Sequence, residues 1–496
     1  MRPVRLSPRE PRQMQAMSPV LVFRGSHSGC WRLSAMVTAP SGDEPPPLCV
    51  ASVRAPPSPL ARRDGRILWR YDFSLPVDHV SRDREYRLGE QSWRVRVPAA
   101  SDSFRLAFTA CNGNERGDAW ADLGDRNALW SRLAQEHAHN PFHLLLQGGD
   151  QLYADSIWRK VPALSAWRRL PWRKRRKTPF TPEMMEAVAD FYFESYRRLW
   201  GQPQLAPVLA SVPSLMMWDD HDILDGWGSY PPEWEDCPVL QGIWSAAREH
   251  FALFQLGARP DELPEGFMAR DGQHFGWTYR VGEVGLLAPD LRSERSRQQV
   301  MGEAGWRAFT AALDGLADCR HVVLISTVPL VHARLVLLER FFELVPGHQS
   351  WQDDLIDQWV SLAHWEEWSR LLATLLRFSG RTGARVTALS GEIHLGALGV
   401  IEGEGARIHQ LTSSGIVHPP PPPLATRALE WASAGEFRLE PCITAKLVPL
   451  PGSSQRYLRA RNWLELNLKP GGDLLAVWHA ERKEGPVRLS IPAGYR

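Results

Sequence analysis

The spacing of apolar and polar residues changes near residue 100. Before that point, short apolar stretches such as Val20-Leu21-Val22-Phe23 alternate with turn-forming residues such as Ser41-Gly42-Asp43. Short strands separated by turns predict a small antiparallel β-sandwich over residues 17–100. This region carries no cluster of catalytic side chains, so we interpret it as an accessory domain. Residues 1–16 lack the pattern and are predicted to be a disordered tail or an over-extended gene start before Met17.

From Phe104 onwards, apolar runs alternate with amphipathic stretches of helical period, which is typical of a layered α/β domain. We assign residues 101–496 to this domain. Thr181-Pro182 predicts the start of a helix that continues to Trp200, because proline is favoured in the first helical turn. A second long helix is predicted from Ser350 to Gly380. Strands are predicted at residues 104–110, 142–146, 215–218, 284–288, 321–327 and 386–389, and a terminal hairpin at residues 463–479.

The predicted strand at residues 215–218 runs directly into Asp219-Asp220-His221-Asp222, and Asp225 follows three residues later. Ligands of open α/β sheets bind at the carboxyl ends of the strands. Adjacent carboxylates repel and raise each other's pKa, so a positive partner is expected beside them, and a metal ion is the simplest one. Taken alone, the stretch fits a solvated acidic turn with a helix N-cap equally well.

Other predicted strands also end in loops that carry metal-ligating residue types. Cys111 follows the first of them, Asp150 and Tyr153 follow the second, and Glu392 and His394 follow the last. Each residue alone is weak evidence, because buried cysteines and hydrogen-bonded histidines are common in protein cores. Together they supply oxygen, nitrogen and sulfur donors at one edge of the domain. Two cations that share a bridging carboxylate need such a set.

Four motifs follow these strands in order: Phe108-Thr109-Ala110-Cys111, Gly149-Asp150-Gln151-Leu152-Tyr153, Trp218-Asp219-Asp220-His221-Asp222 and Ser390-Gly391-Glu392-Ile393-His394. They resemble the motifs of the PhoD-like (alkaline phosphatase D) metallophosphatases of the calcineurin-like metallophosphoesterase superfamily. The resemblance extends from about residue 104 to residue 412. It implies an α/β fold in which a four-layer α/β/β/α sandwich follows a small all-β (Ig/fibronectin-like) N-terminal domain.

By this resemblance, Cys111 corresponds to an iron-ligating cysteine, Asp150 to a bridging aspartate and Tyr153 to a tyrosinate ligand. A thiolate and a phenolate on one hard cation imply Fe(III), and the family also uses Ca(II), for which carboxylates are suitable ligands. Mn and Zn are the alternatives. The resemblance places Asp219, Asp220, Asp225, Glu392 and His394 among the metal ligands. Glu392 stands where the family usually has aspartate, so direct ligation and ligation through water both stay open.

The same resemblance implies an activity. The chain is expected to be a metal-dependent phosphoesterase, acting as a phosphodiesterase, a phosphomonoesterase or both, with a metal-bound hydroxide attacking phosphorus in line. His221 is the expected acid for the leaving oxygen, and Arg292 the expected catalytic and substrate-binding cation. Arg295 and His332 are expected to bind substrate. A structural salt bridge between either arginine and Asp290 is the alternative, and His332 could instead orient other site residues.

Composition narrows the remaining choices. A net charge of +2 gives no global argument for nucleic acid, and the six scattered cysteines form no paired motif. The chain has no recognisable signal peptide and no stretch of the ~18 apolar residues that a membrane span needs, so a cytoplasmic location is expected.

A basic insertion at residues 158–177 mixes lysine and arginine with Trp158, Trp167 and Trp172. It is interpreted as a cap over the cleft of an anionic small-molecule substrate or as an inert solvated face. Binding of nucleic acid or an anionic membrane surface is the less favoured reading. A catalytically silent scaffold that binds an anionic surface through this insertion is the alternative function.

Overall fold

The computed structural model describes residues 17–99, 101–115, 125–333, 358–439 and 442–493. The predicted tail at residues 1–16 and the predicted helix start at Ser350 lie outside these ranges. The strands in chain order are β1 (Val20–His27), β2 (Cys30–Pro40), β3 (Leu48–Val50), β4 (Val53–Ala55), β5 (Pro57–Arg63), β6 (Arg66–Pro76), β7 (Arg82–Leu88), β8 (Gln91–Val97), β9 (Phe104–Thr109), β10 (Leu144–Gly148), β11 (Ser214–Met217), β12 (Trp277–Val281), β13 (Val284–Ala288), β14 (His321–Ile325), β15 (Arg385–Ser390), β16 (Gly396–Gly403), β17 (Ala406–Thr412), β18 (Phe437–Leu439), β19 (Ile443–Val448), β20 (Tyr457–Leu458), β21 (Asn462–Leu468), β22 (Leu474–Ala480) and β23 (Val487–Ile491).

The first large sheet has ten strands in the described ranges, in the order β23-β22-β21-β9-β10-β11-β1-β2-β6-β5. Its centre is parallel: Leu146 of β10 lies opposite Phe108 of β9 and Leu215 of β11. The predicted terminal hairpin corresponds to β21 and β22, which pair antiparallel and join this sheet next to β9.

A separate N-terminal β-sandwich is not confirmed. Strand β1 pairs in parallel with β11 through Val22 and Ser214, and β2, β6 and β5 follow it as antiparallel neighbours. The remaining N-terminal strands form a small sheet in the order β4-β3-β7-β8. The apolar run at the start of β1 is buried. A continuous run of buried residues is typical of a strand that is covered on both faces of a large sheet, whereas a strand of a small sandwich usually has one face exposed to solvent.

The second large sheet has nine strands among the described residues, in the order β12-β13-β14-β15-β17-β16-β19-β18, with β20 paired to β16. Strands β13, β14, β15 and β17 run parallel. Alternate residues of this sheet pack into two different clusters. Leu286 and Val323 pack into the cluster shared with the first sheet, whereas Leu287 and Leu324 pack with helical residues such as Phe309. The fold is therefore a mixed α/β fold built on two large sheets.

The helices are α1 (Ala128–His139), α2 (Ile157–Lys160), α3 (Pro162–Arg168), α4 (Trp172–Arg175), α5 (Pro182–Trp200), α6 (Ala206–Ser211), α7 (Pro232–Glu235), α8 (Pro238–Phe251), α9 (Glu303–Asp314), α10 (Trp365–Thr382) and α11 (Pro423–Ala432). Helix α5 agrees with its prediction, and the Thr181 hydroxyl accepts a hydrogen bond from the Met184 backbone N–H at 3.2 Å, as an N-cap does. Helix α10 ends at Thr382 and is capped by Gly383, whose φ of 74° is left-handed. Among the described helices, none combines the length and apolar character needed to cross a membrane.

Candidate metal centre

The carboxyl ends of the parallel strands from both sheets meet at one place. The loops after β9, β10 and β11 carry Cys111, Asp150 and residues 219–221, and the loop after β15 carries Glu392 and His394. Backbone hydrogen bonds tie these loops together. The Cys111 N–H donates to the Gly149 carbonyl at 3.1 Å. In the second sheet, the Gly391 N–H donates to the Thr327 carbonyl, which follows the neighbouring strand β14, at 3.3 Å. The fold thus brings side chains distant in sequence to one edge.

Two overlapping groups of potential metal ligands lie at this edge. Cys111, Asp150 and His394 form one group, and Asp150, Asp220 and His221 form the other; ligand atoms within each group lie within 4.8 Å of one another. Asp150 belongs to both. Its Oδ1 is buried and has no hydrogen-bond partner among the described residues. Because a buried carboxylate oxygen normally has a partner, this atom fits a carboxylate that bridges two cations.

The backbone is strained where the potential ligands lie. Cys111, Asp150, Glu392 and His394 have φ values of 51°, 57°, 64° and 56°, in the left-handed region that residues other than glycine seldom adopt. Left-handed residues of this kind cluster at ligand sites, where the surrounding structure holds them in place. Three of these four residues, Cys111, Asp150 and His394, form the first ligand group.

The electrostatics of the cluster oppose the anionic forms of its acids. Burial raises the pKa of Asp150, and Asp220 and Asp219 add to the increase although His221 acts against it. Burial and the nearby Asp150 raise the pKa of the Cys111 thiol, and burial with the neighbouring Cys111 raises that of Tyr153. Deprotonated sulfur and oxygen are the ligating forms, and a bound cation is the charge that would stabilise them.

His221 is held between carboxylates. Its Nδ1 is hydrogen-bonded to Oδ2 of Asp155 at 2.8 Å, and its Nε2 lies 3.9 Å from Glu115 and 4.0 Å from Asp225. Burial alone would lower the pKa of His221, but the negative charges of Asp155 and Asp220 outweigh it and raise the pKa well above its usual value. The ring is also fixed by stacking on Tyr153 at a centroid distance of 4.2 Å.

Tyr153 and His394 lie together beside the first ligand group. The Tyr153 hydroxyl is 3.4 Å from Nε2 of His394. The His394 ring stacks on His418 with a centroid separation of 3.3 Å, and His418 is hydrogen-bonded to Glu115 at 2.9 Å. Burial and the neighbouring His418 lower the pKa of His394 well below its usual value, which favours the neutral form that ligates metals.

Asp219 is not in either ligand group. Its Oδ1 accepts hydrogen bonds from Nε of Arg292 and from the Thr327 hydroxyl. Arg292 is fully buried, donates to the Trp227 carbonyl at 3.0 Å and lies 3.6 Å from Asp220. Arg292 is therefore enclosed next to two carboxylates of the acidic loop. Asp290 is buried and accepts hydrogen bonds from the Trp218 indole N–H and from the Phe275 and Arg292 backbone N–H groups.

Four further predicted residues lie around this centre or away from it. The Asp225 side chain lies near His221 and is 53% exposed, and its partial burial raises its pKa to about 7. The Glu392 carboxylate accepts a hydrogen bond from Gln358 at 2.6 Å and is in neither ligand group. Arg295 packs its aliphatic chain against Gly228. His332 is buried beside Tyr457, and its surroundings lower its pKa to about 4.

Several residues that contact the centre were not predicted from the sequence. Asp155 and Glu115 contact His221, His418 stacks on His394, and Asp222 accepts hydrogen bonds from the Leu152 and Asp219 backbone N–H groups. Asp155 could have been found, because it is an acid two residues after Tyr153 in the same loop. His418 carries no such signal, since its segment reads as the start of a polyproline loop.

Comparisons with known proteins show which sequences and folds this chain resembles. The chain is 25% identical over 417 residues to the uncharacterized protein YGR266W of Saccharomyces cerevisiae; the match covers 71% of this chain and spans 59% of that protein's length. The structure resembles that of PhoD with a TM-score of 0.58 at 12% identity, covering 97% of this chain and 90% of the other. It also resembles purple acid phosphatase PPD1 from yellow lupin (Lupinus luteus) seeds, with a TM-score of 0.55 at 10% identity, covering 97% of this chain and 75% of the other.

A family model also matches the sequence directly. The match runs over residues 87–349, which is more than half of the chain, and includes three of the four motifs described above. The matched range includes the loops after β9, β10 and β11, which carry all the residues of the two ligand groups except His394. The chain belongs to the PhoD related phosphatase family.

Proposed function

We propose that this chain is a metal-dependent phosphoesterase that hydrolyses phosphodiesters, phosphomonoesters or both. The observation that carries the proposal is the position of Asp150, which is shared by two groups of ligand atoms and presents a buried oxygen without a hydrogen-bond partner among the described residues. Alternate residues of the second sheet pack on its two faces into two different hydrophobic clusters, one shared with the first sheet and one with helices. This packing supports the proposed four-layer α/β/β/α arrangement, with the metal centre at one end of the two sheets.

The donor types suggest which ions each group would hold. Cys111, Asp150 and His394, with the Tyr153 hydroxyl beside them, combine a thiol, a phenol, an imidazole and a carboxylate, which suits Fe(III). Asp150 and Asp220 offer the carboxylate oxygens that suit Ca(II), whereas the imidazole of His221 suits Mn or Zn better, so these two ions are the alternatives. When bound, a cation pair would polarise the phosphoryl oxygens and lower the pKa of a water beside phosphorus.

The residues of the chain itself would orient the groups around the phosphate. Asp155 fixes the tautomer and orientation of His221 through Nδ1, so Nε2 is the nitrogen that would donate a proton to the leaving oxygen or ligate a cation. Arg292 would hold Asp219 and Asp220 in place from behind. In this proposal Arg292 acts by positioning the acidic loop and does not contact substrate.

The test is the Asp150→Ala variant. It removes the shared carboxylate, so we expect loss of both bound metal and hydrolysis of para-nitrophenyl phosphate esters after loading with Fe and Ca. The matched control is Asp318→Ala, because the Asp318 side chain is 89% exposed and its ion pair with Arg280 is long, at 4.0 Å. Unchanged turnover in Asp150→Ala would contradict the proposal. A wild-type protein that binds no metal under any loading condition would instead support a catalytically silent scaffold.

A further inference from the structure

A cavity of about 490 Å³ opens beside His221. Its lining includes Glu115, Asp155 and Asp225, the three acids that contact the His221 ring. The volume lies in the range of small-molecule pockets. A phosphate ester whose phosphorus lies at the two ligand groups would therefore extend its organic part into this cavity.

The basic insertion, which folds as helices α2, α3 and α4, supplies another part of the lining. Tryptophan rings hold two of its guanidinium groups. Arg168 lies over Trp158 at 5.1 Å from the ring centroid, and Arg175 lies 5.5 Å from the centroids of both Trp167 and Trp172. Stacking on aromatic rings restricts an arginine side chain and prepares its planar donors for an anion.

In the part of the chain that the structure describes, the Arg175 side chain has an unused hydrogen-bond donor. Its Nε is buried and has no hydrogen-bond partner among the described residues. Its backbone is anchored, because the Trp167 indole N–H donates to the Arg175 carbonyl at 3.1 Å. A buried guanidinium donor without an acceptor is destabilising unless an acceptor arrives from outside the chain.

The shape of the cavity limits what that acceptor is. The cavity is concave and its basic lining is confined to Arg159, Arg168 and Arg175, whereas Arg173, Lys174, Arg176 and Lys177 are exposed and do not line it. A nucleic acid strand or a membrane surface would need an extended basic face. A compact anionic group on a small molecule fits these three closely grouped arginines.

We propose that the cavity binds the organic part of a phosphodiester that carries a second anionic group, a phosphoryl or carboxylate group, which Arg168 and Arg175 recognise. The proposal rests on the phosphoesterase function proposed above. It names the substrate class of that site: esters with two anionic groups, one at the metal centre and the other at the basic insertion.

Two matched substrates test this. They are para-nitrophenyl phosphodiesters of butanediol that differ only at the far hydroxyl, which is free in one and phosphorylated in the other. Water adds to the diester phosphorus, the bond to para-nitrophenol breaks, and the released phenol reports only this cleavage. For the metal-loaded wild type, we expect kcat/KM to be about tenfold higher for the phosphorylated substrate, as a charge-assisted hydrogen bond would give.

Three variants locate the preference. Arg175→Met and Arg168→Met should each reduce it to about twofold, mainly through KM, and leave the kcat/KM for the substrate with the free hydroxyl unchanged. Arg168 is exposed, so its variant stays informative if Arg175→Met does not fold. Arg173→Met is the control, because Arg173 is an exposed residue of the same helix α4 that does not line the cavity. Equal kcat/KM for both substrates in the wild type, or an unchanged preference in both variants, would overturn the inference.

The two proposals can fail separately. If the wild type cleaves neither diester, the phosphoesterase function fails, and the cavity is tested by calorimetric titration with the same two compounds. Tighter binding of the phosphorylated compound, weakened in Arg168→Met, would still support the anion subsite. Equal binding of the two compounds would refute it.

Discussion

At the residue scale, Asp155 is the neighbour on which the orientation of His221 depends most directly. One carboxylate oxygen is hydrogen-bonded to Nδ1 of His221 at 2.8 Å, and the other accepts from the Asp225 backbone N–H at 3.0 Å. A carboxylate that holds a ligand histidine fixes its tautomer and makes it a better donor. The Asp155 side chain therefore couples the acidic loop to the loop after β10.

We expect Asp155→Asn to lower metal affinity or kcat/KM by about 10- to 100-fold, because the amide keeps the shape but removes the charge that holds His221. Metal content by elemental analysis and turnover of a para-nitrophenyl ester measure this. Asp190→Asn is the control, since Asp190 is an exposed residue of helix α5 whose carboxylate pairs with Arg63. Wild-type metal content together with wild-type turnover in Asp155→Asn would show that Asp155 has no positioning role.

The sequence predicted the residue types of the centre better than their orientations. Cys111, Asp150 and His221 could be predicted because each follows an apolar strand directly. The ion pair of Arg292 with Asp219 could not, because two residues 73 apart reveal neither burial nor rotamer. An arginine near a predicted phosphate site suggests a substrate contact, and only the fold shows that this one is enclosed.

At the element scale, the parallel strands were predictable and the N-terminal strands were only partly so. Each predicted strand from 104 to 389 corresponds to one of β9, β10, β11, β13, β14 and β15, because buried parallel strands are continuous apolar runs. Strand β1 has the same character, yet nothing local in the sequence states that it pairs with β11 across a separation of nearly two hundred residues. Sheet membership is a long-range property that periodicity does not contain.

The loops that join the sheets depend on two glycines. A Cβ on Gly149, which has φ of 100°, would come within 2.7 Å of Cβ of Asp219, and a Cβ on Gly391 would lie 2.3 Å from Cβ of Ala110. These contacts are between the loops after β10 and β11 and between the first and second sheets. The close approach of the ligand loops therefore requires that no side chain stand between them.

We expect Gly391→Ala to lower the free energy of unfolding by about 1–3 kcal/mol, because the added methyl group overpacks the junction between the sheets. It should also reduce metal content, since Cys111 and His394 lie on the two loops that would be pushed apart. Thermal unfolding and elemental analysis measure both effects. Gly435→Ala is the control, because a Cβ there meets nothing within 4 Å. Full metal content in Gly391→Ala would argue against this role of the junction.

At the scale of the whole molecule, the centre joins the two large sheets. Strands β9, β10 and β11 of the first sheet and β15 of the second supply its ligand groups. The shared hydrophobic cluster fills the space between these sheets, and the acidic loops lie at its end. Buried carboxylates close together destabilise a fold unless a cation compensates them. Metal binding and the stability of the molecule are therefore expected to be linked.

This linkage predicts that replacing Asp150 changes the melting temperature differently in the metal-loaded and the metal-free protein. Metal loading should raise the melting temperature of the wild type, by an amount that corresponds to about 2.7 kcal/mol at a hundredfold excess over the dissociation constant. In Asp150→Asn that increase should be lost. Without metal, however, the variant should melt at the same temperature as the wild type or higher, because burial and the neighbouring Asp220 and Asp219 raise the pKa of Asp150 and disfavour its charged form. Differential scanning calorimetry of chelator-treated and metal-loaded protein measures all four states. An equal metal-induced increase in both proteins would mean that Asp150 does not ligate the ions, and the proposed bridging position would have to be abandoned.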